Sequence, residues 1–329
     1  MRTMKTREKT PKNPDMVLKP ELYSGQKRKG KLMAELLRDR QLYLMLLPFL
    51  LYYILFLYFP MYGLQIAFKD YKPFLGVMGS DWVGMKHFVN FFTGPYAWRV
   101  IRNTLMINVY DLIFHFSLTI VIALLLNEIR HKKVKTFVQT VIYMPHFISA
   151  VVVAGLVIAM LSPTSGIINL LIEKMGGEKI YFLSFPEYFR TIFVSMKCWA
   201  GVGFDTIIYT SAICAIDESL YEAAEIDGAG RMRKMWHITL PGIKPTVVIM
   251  LIMRIGNMMT VGSDQIILLY QPATYETADV ISSFVYRYGL ENGDYSFASA
   301  VGLFNGLIAL ILVLTANKVS KKLTESSLW

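Results

Sequence analysis

Glu222-Ala-Ala-Glu-Ile-Asp-Gly-Ala-Gly-Arg-Met-Arg-Lys-Met-Trp-His-Ile-Thr-Leu-Pro241 lies between two long apolar runs of this 329-residue chain. The segment is polar, charged and punctuated by glycine. Its fixed positions are Glu-Ala-Ala at 222–224, Gly228, and Ile238-x-Leu240-Pro241. From Glu218 to about Glu225 the residues favour a helix. Leu220, Ala223 and Ala224 form its packing face, and the small alanines let another helix come close. Gly228 and Gly230 break it, since glycine tolerates the positive φ that such breaks need. Helical character resumes over 231–238, with Met232, Met235 and Trp236 as apolar contacts. Pro241 and Pro245 stop the chain and redirect it. The expected product is helix, sharp turn, helix, a projecting shape that suits a groove on a partner.

The flanking runs set the fold class. The chain is 54% hydrophobic, with a mean hydropathy of +0.42, yet its net charge is +10. A soluble domain of this size is rarely so apolar, and a polytopic membrane protein reconciles the two because its charge sits in loops and tails. Basicity also suits nucleic-acid binding, but these Lys and Arg residues cluster at the ends of apolar runs, so no nucleic-acid partner is expected. Six stretches, near 42–68, 103–127, 137–161, 188–215, 246–270 and 297–317, are each long enough to cross a ~30 Å hydrocarbon core. They are continuous rather than alternating, which argues for helices and against a barrel. The expected fold is an all-α polytopic membrane protein with six transmembrane helices.

Charge gives the orientation. The N-terminal tail is dense in Lys and Arg. The 2–3 connection carries Arg130, Lys132, Lys133 and Lys135, the 4–5 connection Arg231, Arg233, Lys234 and Lys244, and the C-terminal tail Lys318, Lys321 and Lys322. The 5–6 connection has Arg287 against four acids. Both termini and the Glu222 segment are therefore expected in the cytoplasm. Residues 1–40 read as a basic tail followed by an amphipathic interfacial stretch with Leu32, Met33, Leu36 and Leu37 on one face. Residues 41–320 form the membrane domain, with a cytoplasmic coupling segment at 218–245, and 321–329 a cytoplasmic tail. The first apolar run is too long for a leader core, so no cleavable leader is expected. On the other side, Trp82 and Trp98 suit a membrane–water boundary. A short helix is expected over 167–175, ended by Gly176-Gly177. Cys198 and Cys214 fall in one apolar stretch, roughly 24 Å apart on a helix, and read as buried thiols rather than a disulfide.

The Glu222–Pro241 spacing resembles the signature of binding-protein-dependent permeases of ATP-binding-cassette (ABC) importers with the type I fold. Phe59-Pro-Met-Tyr-Gly63, Tyr143-Met-Pro-His-Phe-Ile-Ser149, Asp264-Gln265 and the terminal Ser-Leu-Trp are similar to the polysaccharide and oligosaccharide branch, typified by lipoprotein-linked sugar and alginate permeases. The resemblance covers nearly everything after residue 40. It implies a permease subunit in a bacterial plasma membrane. Its partners would be a second homologous permease, two ATPase subunits and an extracellular solute-binding lipoprotein. The ATPase would grip Glu222, Ala223, Ala224 and Gly228, with Arg231 and Pro241 in the same coupling element. The cargo would be a complex sugar or oligosaccharide.

The resemblance also places the solute pathway on the helices flanking the signature, at Lys197, Trp199, Gly201, Phe204, Met253, Arg254 and Asn257. Aromatic faces beside hydrogen-bonding groups suit sugars. For each residue a structural role stays open, either as interhelical glue or as an ion pair such as Lys197 with Asp205. Gly256 and Gly262 equally suit a bend in the fifth span. Other readings share the sequence: the same fold carrying an amino acid, peptide or phosphate, a secondary transporter, or a scaffold without transport. A secondary transporter often shows internal repeats, and none is evident. Gly25-x4-Gly30-Lys31 has Leu32 where a phosphate loop needs Ser or Thr, and no strand precedes it. The five histidines lack metal-ligand spacing, and no nucleophile–base arrangement is evident. No cofactor, metal or intrinsic catalysis is expected.

Overall fold

The computed structural model describes residues 38–259 and 262–324. The basic tail, most of the interfacial stretch, the Gly25–Lys31 motif and the terminal Ser-Leu-Trp lie outside these residues. The chain divides into two compact units, Met1–Tyr62 and Gly63–Trp329. The described part of the first is most of one long helix, α1 (Arg40–Phe68). A wide π-type turn at Ile54–Tyr58 precedes Pro60. Such a turn accommodates a ring that cannot donate to the helical ladder.

The second unit opens with a two-stranded antiparallel ribbon, β1 (Lys69–Asp70) and β2 (Asp81–Trp82). The short α2 (Lys86–Thr93) follows. Next come α3 (Ala97–Asn127), a bent pair α4 (Lys132–Phe147) and α5 (Ala150–Leu161), and the outer helix α6 (Ile167–Lys174). The long α7 (Pro186–Cys214) leads to α8 (Glu218–Ile226) and to a second bent pair, α9 (Arg231–Gly242) and α10 (Lys244–Gly256). Short helices α11 (Ser263–Leu269) and α12 (Ile281–Tyr286) precede α13 (Tyr295–Thr324). Four helices are individually long and apolar enough to span, and each bent pair supplies one more, giving six spans.

The bends refine the expected spans. The third turns by 97° at Ile148-Ser149, after Pro145, and Ser149 restarts the helix by accepting the Val152 N–H. The fifth span does not run on to Tyr270. Its helix stops at Gly256, bends by 58° from the signature helix at its other end, and continues after a break as α11. The bend allowed for between Gly256 and Gly262 is therefore a true interruption.

Helix α7 is the hub, packed on α3, α4, α5 and α10. Glycine permits its closest approach: a Cβ on Gly203 would overlap the Ile142 carbonyl of α4. Gly256 similarly admits Val313 of α13. Phe189, Phe193, Ile107, Val153 and Ile266 form one buried cluster; Tyr209, Ile213, Ala123 and Ile243 form another at the opposite end of α7.

An ionic knot ties the segment after α11 to α3. Asp279 is wholly buried and takes Arg287 at 2.7 Å, Arg99 at 3.1 Å and the Ser283 hydroxyl at 2.9 Å. Nearby, Asn103 donates to the carbonyls of Glu276 and Asp279 and accepts from Arg190 of α7. The α6 helix ends before Gly176, whose φ is +85°, as the Gly-Gly pair foretold. The two cysteines lie on α7 and both are free. Cys198 is half-buried, but Cys214 is exposed at the helix end, so it is not the buried thiol expected.

Candidate functional site

Two constellations stand out, and the first is the signature itself. Asp217 caps α8 by accepting the Ser219 N–H at 3.0 Å. That bond holds its carboxyl below the usual carboxylate range. At the other end, the Gly228 N–H bonds Glu225 O and the Ala229 N–H bonds Ala224 O. This pair of bonds is a Schellman closure, with Gly228 at the left-handed position, φ +71°. Gly230 differs from expectation: its φ is −69°, and it serves as the extended residue before α9.

Helix α8 then folds back on α9. Tyr221 Oη meets Thr239 Oγ1 at 2.9 Å, and Lys234 approaches Glu225 at 3.7 Å. A π-type turn over Met235–Thr239 precedes Pro241, as in α1. At the root, Ile243 is fully buried against Tyr209, Ile213 and Ala123, and Gly242 lies so near Ile216 that a Cβ would sit 2.6 Å from its Cδ1. The hairpin is thus anchored on the ends of α3 and α7. Its free face carries Glu222, Ala223 and Arg231 together with exposed Leu220, Ile226, Met232 and Trp236. Ile226, at 88% exposure, is an apolar residue with nothing from this chain to cover it.

The second constellation lies within the spans. Asp111 and His115 stand on α3, where a π-type turn over Leu112–Phe116 rotates His115 toward α7. Such turns recur at functional positions. His115 Nε2 lies 2.8 Å from Asp205 Oδ2, and its Nδ1 lies 3.6 Å from Asp111 Oδ1. Lys197 Nζ comes within 3.0 Å of Asp111 Oδ1, while Arg254 of α10 reaches Asp111 at 3.6 Å and Asp205 at 3.9 Å. Three spans therefore meet at two carboxylates, two cations and a histidine. The expected Lys197–Asp205 pair does not form, because α7 turns Lys197 toward the buried Asp111 and leaves Asp205 to His115 and Arg254.

This knot is held by charge more than by bond alignment. Asp111 Oδ1, His115 Nδ1 and Arg254 Nε are buried without a hydrogen bond of good geometry. Gly201 makes room: a Cβ there would stand 2.8 Å from the His115 ring. Phe204 stacks face to face on His146, with centroids 3.9 Å apart. Trp199, Met253 and Asn257 are exposed and lie outside the ion cluster; Asn257 bonds back to its own helix at Met253 O.

Of the pathway residues read from the sequence, the structure brings together Lys197, Gly201 and Arg254, with Phe204 beside them. Asp111, His115 and His146 were not singled out. The first two were legible as an i, i+4 polar pair inside an apolar run, a costly placement that calls for partners.

The family model described as "Binding-protein-dependent transport system inner membrane component" matches residues 116–324. The polygalacturonan/rhamnogalacturonan transport system permease protein YteP of Bacillus subtilis (strain 168) is 46% identical, over 94% of this chain and 96% of its own length. Protein LplB of the same organism is 43% identical over 90% of this chain and 93% of its own. A crystal structure of a bacterial ABC transporter that imports the acidic polysaccharide alginate contains a chain 45% identical, with a TM-score of 0.84, covering 89% of this chain and 99% of that one.

Proposed function

Because the chain belongs to the binding-protein-dependent transport system inner membrane component family, we propose that it is the permease subunit of an ATP-driven importer of an acidic oligosaccharide. The observation that carries the cargo class is the convergence of Lys197 and Arg254, both partly accessible within the spans, on one buried carboxylate. Cations at membrane depth ordinarily mark a solute or ion pathway. Here they are loosely held, so a uronate carboxylate can share them without breaking well-made bonds. Relatives named for polygalacturonan and alginate support the same chemistry.

The working assembly would add a second, homologous permease, two ATPase subunits and an extracellular solute-binding lipoprotein. A related alginate importer is described in complex with a periplasmic protein carrying an alginate pentasaccharide. ATP hydrolysis belongs to the ATPase subunits. The α8–α9 hairpin would dock in the ATPase groove through Glu222, Ala223, Ala224 and Arg231 and its exposed apolar residues. The Gly228 closure would hold the hairpin, and Pro241 would set its angle to the fifth span. Since its root packs on α3, α7 and the start of α10, closure of the ATPase dimer would tilt the helices that carry the ion cluster. Lys and Arg bias places this hairpin and both termini in the cytoplasm.

The test is transport by the complete complex in proteoliposomes, with oligogalacturonates, alginate oligosaccharides and a neutral oligosaccharide each offered with the binding protein. Wild type should carry at least one uronate series. Arg254→Gln should slow uronate transport about tenfold to a hundredfold, the range for a lost charge-assisted hydrogen bond. Uptake of only an amino acid, peptide or phosphate would defeat the sugar reading. Uptake that persists with the ATPase disabled would favour a gradient-driven transporter.

A further inference from the structure

The geometry points to a pyranose-stacking subsite at the break of the third span, formed by Phe147, His146 and Phe204 beside the Asp205 carboxylate. This rests on the reading of the cargo as an oligosaccharide and adds a subsite on a different span from the charged one. The three rings make a corner. His146 and Phe204 are coplanar to within 2° and 3.9 Å apart, and Phe147 stands at 85° to the first and 86° to the second. Two walls at right angles offer one face to a sugar's C–H surface and a second to its edge. The His146 ring, exposed and without a hydrogen bond among the described residues, supplies polar nitrogens for hydroxyls.

Local structure explains why the corner exists. Pro145 and the turn over Met144–Phe147 end α4, so successive side chains leave the helical spiral and both rings splay to one side. Gly203 lets α7 press against the Ile142 carbonyl, which brings the next residue, Phe204, under His146. Rings this exposed in a membrane protein often face acyl chains. Asp205 argues otherwise here. It follows Phe204 on α7, interacts electrostatically with His146, and its side chain is 40% exposed. A carboxylate opened to lipid costs several kcal/mol, so this face is turned to a polar path. Aromatic walls, an imidazole and a carboxylate at one corner are the elements of sugar recognition, next to cations that take a uronate's charge.

Two measurements on the complete complex in proteoliposomes test the subsite. First, Phe147→Cys, in a background of Cys198→Ala and Cys214→Ala, is exposed to a charged, membrane-impermeant thiol reagent with and without nucleotide. Labelling is expected in at least one nucleotide state, slowed several-fold by loaded binding protein. No labelling in either state would place Phe147 against lipid and overturn the subsite. Second, Phe147→Leu keeps the apolar bulk and removes the ring. It is expected to slow oligogalacturonate or alginate-oligosaccharide transport about tenfold, whereas Phe147→Trp retains it. Full transport by Phe147→Leu would also overturn the subsite, even with labelling. Labelling needs no cargo, so the corner's exposure is judged independently of the oligosaccharide reading.

Discussion

Gly228→Pro is expected to abolish solute-stimulated ATPase activity and transport while leaving membrane insertion intact. Gly228 holds φ +71°, whereas proline is fixed near −65°. The substitution also removes the N–H that bonds Glu225 O, and the altered turn would pull Ala229 away from Ala224 O. Both bonds of the Schellman closure are then lost, and α8 no longer folds back so that Tyr221 reaches Thr239. The lesion lies outside the spans, so the complex should still assemble in membranes at near-normal amount. Gly228→Ala offers a graded control, since a left-handed alanine costs about 1 kcal/mol and should leave partial coupling. ATPase activity of the purified complex, with and without loaded binding protein, reads the effect. Normal stimulation in the proline variant would remove the hairpin from the coupling role.

Asp111→Ala is the second large effect, and it acts on stability. Removing the buried carboxylate strands Lys197, Arg254 and His115 around an empty site. Breaking a buried ionic group by deleting one partner costs roughly 3–5 kcal/mol. The variant should be recovered in much lower amount and melt at a lower temperature in detergent. The companion double variant Asp111→Leu with Lys197→Met separates structure from transport. It removes opposite charges together, a change that is often neutral for stability. Recovery of stability without recovery of uronate transport is the expected result. Equal stability of Asp111→Ala and wild type would show that the cations are satisfied by other groups.

The signature hairpin was largely legible in the sequence because its signals are local. Asp217 as cap, Gly228 as closure and Pro241 as stop act within a few residues of themselves, and each sits where its chemistry predicts. The ends of the spans were less legible. Residues 246–270 read as one apolar run, yet the helix stops at Gly256, since hydropathy reports what a segment dissolves in and not whether its backbone is continuous. The pairing of Lys197 was not legible either. Its partner Asp111 lies two spans away in sequence, and the choice between Asp111 and Asp205 depends on the rotation of α7, which Gly203 and the turn in α3 set through packing.

The ion cluster also has a consequence for biogenesis. Asp111 emerges from the ribosome well before Lys197, and Arg254 later still. A lone ionised residue at the centre of an inserting helix is disfavoured by about 2.5–3.5 kcal/mol. Each of these helices is therefore a reluctant guest of the bilayer until the next arrives, an interval on the order of five to fifteen seconds at ordinary elongation rates. During that wait the nascent segment carrying Asp111 needs shelter, at the insertion channel's lateral opening or beside a chaperone. A chain cut short before the fifth span would be left with a charge it cannot hide, and membrane proteases would find it first.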